Sequence, residues 1–140
     1  MKTLALMLLL VGLAVPAHAG PAKPAPSGPL KAYKGPEGQV VVMVMVNDDK
    51  QMLIHVKGIG GDLEGKTVLY EVDDMGHDRK DIYINKKRGS KTYRSIILTE
   101  RDGDWDFYHP SKANVEFSIY YSESASKDIK LDDVMNAYKP

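Results

Sequence analysis

The chain has no cysteine. That absence removes disulfide bonds, thiolate nucleophiles and cysteine metal ligands at once. It also removes the lipid-modified cysteine that a lipoprotein would need after its leader. Net charge is absent too: 19 basic and 19 acidic residues cancel at pH 7, which argues against bulk attraction to nucleic acid. There is no internal repeat, no G-x-S-x-G elbow and no H-E-x-x-H pair, so the common hydrolase signatures are missing. We expect no enzyme and no cofactor.

Only one long apolar run is present, and it stands at the start. Lys2 precedes Leu4 to Val15, which is short for a bilayer span, and Ala17-His18-Ala19 supplies a small-x-small cleavage pattern. Residues 1–19 are therefore predicted to be a signal peptide, with the remainder exported to a periplasmic or extracellular space and no transmembrane segment left after cleavage. Loss of Lys2 leaves 18 basic against 19 acidic residues. Residues 20–38 carry Pro21, Pro24, Pro26, Pro29 and Pro36 with few apolar side chains, the composition of an extended linker that cannot offset its ordering entropy. A single β-rich domain is expected over 39–140. At that size it can rest on its apolar core without disulfides.

From Gln39 onward the apolar period is two. Val40 to Val46 is continuously apolar, which suggests a strand covered on both faces. Met52, Ile54 and Val56 alternate with His55 and Lys57. Val68, Tyr70 and Val72 follow, then Ile82 and Ile84, a β-rich run from Tyr93 to Thr99, and Trp105 with Phe107 after the hairpin signal Asp102-Gly103. Val115, Phe117, Ile119 and Tyr121 complete the series. Only the tail changes period: Leu131, Val134, Met135 and Tyr138 form a helical stripe. Short connections favour an antiparallel meander of about seven strands, rolled or closed into a small barrel, with a short C-terminal helix. A two-sheet sandwich is the alternative.

Residues 60–67, GGDLEGKT, match the phosphate-binding pattern G-x-x-x-x-G-K-[ST]. A phosphate loop needs a helix after it, so that backbone N–H groups converge on the anion. Here Thr67 opens Val-Leu-Tyr-Glu-Val, which reads as a strand, and Asp62 and Glu64 would repel a triphosphate. We therefore expect no nucleotide there. Asp102, Asp104 and Asp106 have the spacing that opens a calcium loop, but its sixth and twelfth positions are Phe107 and Ala113. Asp73, Asp74, His77 and Asp78 are the better metal candidates, set against an ordinary turn. His55 is expected half-exposed on a strand face, and His109 in a loop.

The strongest asymmetry is electrostatic. Arg79, Lys80, Lys86, Lys87, Arg88, Lys91 and Arg94 face Asp81 alone, whereas Asp62 to Asp78 holds six acids against Lys66. Such a hairpin suits an anionic polymer, a lipid headgroup or an acidic protein; the bland alternative is that its lysines keep a projecting edge soluble. The chain reads as an exported, non-enzymatic binding module. A second reading is a barrel whose Tyr70, Trp105, Phe107 and Phe117 line an apolar ligand cavity. A third is a hydrolase using a metal on His77 and its acidic neighbours.

Overall fold

The structure is a computed structural model that describes residues 22–74, 81–88, 91–101, 104–109 and 116–139, with side chains outside 62 and 72–101. The expected signal peptide lies outside the described residues, as do Val115, His77, Asp78, Arg79 and Lys80.

Eight strands follow one another: β1 (Lys31–Lys34), β2 (Val40–Val46), β3 (Gln51–Lys57), β4 (Thr67–Asp74), β5 (Asp81–Arg88), β6 (Lys91–Arg101), β7 (Asp104–Tyr108) and β8 (Glu116–Tyr121). Each pairs antiparallel with the next, and β1 returns to β8 through Tyr33↔Tyr121 and Lys34↔Tyr120. The meander is thereby closed into a barrel. Two short helices follow, α1 (Glu123–Asp128) and α2 (Leu131–Ala137).

The strand that the periodicity does not predict is β1. It lies inside the Pro-rich stretch assigned to the linker, so the folded part begins upstream of Gln39. Its four residues, KAYK, carry no run long enough to show a period. The preceding residues are also held. The Ser27 amide donates to the Met45 carbonyl at 2.9 Å, and the Asn47 amide to the Ala25 carbonyl at 2.8 Å. Asn47, Asp48 and Asp49 all have positive φ (54°, 57° and 62°), a conformation that costs energy in a residue with a Cβ. The docked segment steadies this turn: Ser27 Oγ donates to Asp49 Oδ1 at 2.7 Å and accepts from the Asp49 amide at 3.1 Å.

β2 explains the core. Because side chains alternate across a strand, its continuous apolar run must bury two faces. Val41 and Met43 point into the barrel and pack with Tyr33, Met52, Ile54, Val56, Tyr70, Phe107 and Ile119. Val42, Val44 and Val46 point outward and pack with Ala32, Leu53, Ala125 and Val134. Helices of this length do not persist alone in water, so α1 and α2 owe their order to that outer core. Leu131, Met135 and Tyr138 lie against it, with Val134 fully buried at its centre, as the helical stripe predicts.

The helical stripe gives no sign of α1. Ser122 caps it, Oγ accepting from the Ala125 amide at 3.3 Å. Ser126 Oγ accepts from the Ala32 amide at 2.8 Å, and the Ala32 carbonyl accepts from the Ser122 amide at 2.9 Å. Where β8 stops, α1 thus satisfies the backbone of β1.

Trp105 and Phe107 share the interior as the alternation predicts, and Phe107 stacks on Phe117 with ring centroids 5.0 Å apart. Phe107 is fully buried among these neighbours. Replacing it with alanine should cost about 3–5 kcal/mol, read as a lower denaturant midpoint with an unchanged slope.

Candidate functional site

Three features carry chemistry, beginning with the loop between β3 and β4. Gly58, Gly60 and Gly61 adopt positive φ (76°, 65° and 75°), and the chain then makes one 3-10 turn, Gly61–Leu63. At Gly58 a Cβ would be doubly unwelcome: φ is left-handed, and the added carbon would meet Gln39 Cα at 3.2 Å. This geometry turns three successive amides toward one point, an anion-binding nest. The Glu64 carboxylate fills it. Gly58 N–H donates to Oε1 at 2.9 Å, while the Ile59 and Gly60 amides donate to Oε2 at 2.9 Å and 2.8 Å. Those hydrogen bonds, from Gly58 foremost and then Gly60, lower the Glu64 pKa below the usual carboxylate value. Thr67–Asp74 is a strand, where a phosphate loop would continue as a helix. Of the motif's glycines only Gly60 donates to this carboxylate; Gly58 and Ile59 stand just ahead of the motif.

The second feature is a cleft of about 430 Å³ between the outer wall of the barrel and the C-terminal helices. Val40, Val42, His55, Lys57 and Gly65 line it from the barrel side. Asp128, Ile129, Asp133, Val134 and Ala137 line it from the helices. His55 lies on the strand face expected for it, but not half-exposed: the helices cover that face and leave it 7% exposed. Its Nδ1 is hydrogen-bonded to Thr67 Oγ1 at 3.0 Å, across the His55↔Thr67 register. Burial, aided by the Lys57 charge and opposed by Glu64, lowers its pKa. The imidazole is thus held neutral near pH 7.

The third feature is the β5–β6 hairpin. Its ladder runs from Asp81↔Thr99 to Arg88↔Lys91. β4 accompanies β5 only as far as Asn85, and β7 accompanies β6 only from Ile97 onward. Among the described residues, Lys86–Arg88 and Lys91–Tyr93 therefore pair only with each other, and Arg94 pairs with Asn85 at the base of the ribbon. The register shifts at Ile84/Asn85, and such a bulge increases local twist where the ribbon leaves the wall. Five of the expected basic residues lie on this ribbon: Lys86, Lys87, Arg88, Lys91 and Arg94. On the edge of β4 away from β3, Tyr138 bridges to Thr67 in parallel.

The remaining candidates divide. Asp73 and Asp74 end β4, paired in register with Tyr83 and Ile82, while His77 and Asp78 lie outside the described residues. Among the described residues no cluster of three or more His, Cys, Asp or Glu could hold a metal ion. Asp106 accepts a hydrogen bond from Ser118 Oγ at 2.8 Å, tying β7 to β8, and Asp102 lies outside the described residues. His109 follows β7 and is buried. Tyr70 and Phe107 are buried in the inner core, with Trp105 and Phe117 packed against it; burial raises the Tyr70 pKa. No described helix is long and apolar enough to cross a membrane.

Sequence reasoning missed the Glu64 clamp and the His55 cleft. The clamp has a faint signal in three glycines just ahead of a glutamate. The cleft has none, because it joins residues distant in the chain. Compared with family models, with curated proteins and with solved structures, the chain matches none.

Both titrating groups weaken the fold in acid. Folded Glu64 binds its proton less readily than the unfolded chain, so its contribution is complete above the ordinary value of 4.5. It is lost as pH falls through the folded value. His55, also lowered, contributes fully above 6.5 and loses that contribution as pH falls toward its folded value. Thermal unfolding followed against pH should decline in two steps. Glu64→Gln should remove the lower step and reduce stability at neutral pH, and His55→Gln should remove the step that begins near 6.5.

Proposed function

We propose that this protein is an exported, non-enzymatic binding module that holds a polyanionic surface through its β5–β6 ribbon. The observation that carries the reading is the register. Both flanking strands turn away at Asn85 and Ile97, leaving a two-stranded arm on which five cations are concentrated. Charges so close raise the local potential and attract polyanions although the chain as a whole is neutral. A projecting arm also reaches a flat or extended polymer better than a strand inside the wall would.

Solubility alone is the competing account of these lysines, and it makes no demand on salt or on the identity of the surface. Binding does. Retention on a sulfated polysaccharide matrix should be clear at about 0.1 M salt and vanish near 1 M, where the screening length falls from roughly 10 Å to 3 Å. Replacing Lys86, Lys87 and Arg88 together with glutamate should abolish retention at the lower salt. Anionic vesicles run in parallel separate a lipid headgroup from a polymer. Retention unchanged by the triple substitution would overturn the proposal.

A further inference from the structure

A different region suggests a small-molecule site, independent of the ribbon. The cleft between barrel and helices, about 430 Å³, falls at the small end of the roughly 300–1,000 Å³ typical of such sites. Its apolar lining comes from both walls: Val40 and Val42 on β2, and Ile129, Val134 and Ala137 on the helices. Its polar groups are segregated. The barrel wall carries Lys57 and the neutral His55; the helical wall carries Asp128 and Asp133. The ion pair of Lys127 with Glu123 lies within α1 and does not join these walls. His55 is anchored through Nδ1 to Thr67, and no described hydrogen bond engages Nε2.

From this arrangement we infer that the cleft binds a free α-amino acid with an apolar side chain. Opposite charges on facing walls complement a zwitterion and neither a simple acid nor a simple amine. The ligand's carboxylate faces Lys57, its ammonium faces Asp128 and Asp133, and its side chain covers Val42, Ile129 and Val134. His55, held in one orientation and uncharged, offers a single hydrogen bond at Nε2 without adding a third charge. Glu64 also acts electrostatically on His55. Its carboxylate is committed to the Gly58, Ile59 and Gly60 amides, so the acids left to the ligand are those of the helices.

Calorimetric titration of the purified protein with leucine tests this, with phenylalanine as a bulkier probe. The comparison set is 4-methylpentanoate, which lacks the ammonium group, and 3-methylbutylamine, which lacks the carboxylate. Leucine should bind, and each half-ligand should bind at least about tenfold more weakly, the scale of one lost charge-assisted hydrogen bond. Lys57→Met should weaken leucine by a similar factor while leaving the amine unaffected. Asp133→Asn and Asp128→Asn should weaken leucine and the amine but not the acid. Lys57, Asp128 and Asp133 are exposed, so these variants should keep the parent's thermal midpoint, which is measured alongside. Absence of heat with either amino acid would overturn the inference. So would a half-ligand that binds as tightly as leucine, or leucine affinity indifferent to Lys57→Met and Asp133→Asn.

Discussion

A strand that is apolar at every position cannot face water on either side, and β2 imposes that demand on this molecule. One set of its side chains requires a closed barrel; the other requires something outside the barrel to cover it. Each fully buried aliphatic side chain contributes roughly 1.5–3 kcal/mol, so leaving either face exposed would forfeit several such terms. The inner core satisfies the first demand with Tyr70, Phe107 and Ile119. The helices satisfy the second with Ala125 and Val134. The cleft beside His55 is a by-product of this double burial. The cleft exists because two short helices cannot cover a curved wall without a gap, and His55 is buried because it shares the outer face with Leu53.

Departure of the β5–β6 ribbon from the wall has a similar origin. β4 is shared: Thr67, Val68, Leu69 and Tyr70 pair with β3, Glu71 pairs on both sides, and only the residues from Glu71 to Asp74 reach β5. As β5 diverges it would leave the first half of β4 with unpaired backbone groups, an edge that invites association with other chains. The C-terminal segment stands beside that half instead, through the Tyr138–Thr67 bridge. The same tail therefore covers the outer core and guards an edge. That dual service ties the β4 edge to the packing of the helices.

Period-two alternation makes much of this fold legible in the amino-acid order itself. The inward residues of β3 and β7, and Phe117 and Ile119 of β8, follow from spacing alone, because each strand alternates an apolar set with a more polar one; that the helices bury the outer face of β3 as well does not show in the spacing. The two-sided burial of β2 is equally plain in VVVMVMV. Local pattern fails where a residue's environment comes from elsewhere in the chain. KAYK is too short to show a period, and prolines beside it read as linker, yet it is held by β2, β8 and α1. Ser122 and Ser126 add nothing to an apolar period, although they cap and staple a helix. The strand that follows GGDLEGKT is enough to discount the phosphate-loop match. That its would-be anion is Glu64 depends on backbone angles that the glycines permit but do not dictate.

Closure through Tyr33 and Tyr121 joins the first strand to the last. A contact between the extremes of a chain carries the largest loop-closure entropy, so it is the seam expected to form last. Until then the other strands can zip pairwise as neighbours, each hairpin needing only a short connection. The half-made molecule is then an open, curled sheet with β1 and β8 as its margins. A chain released from its N-terminus first would keep its β1 margin open until β8 had been made. The two tyrosine-bearing strands act in this sense as a clasp: they add few hydrogen bonds, and they decide when the molecule stops offering margins to its neighbours.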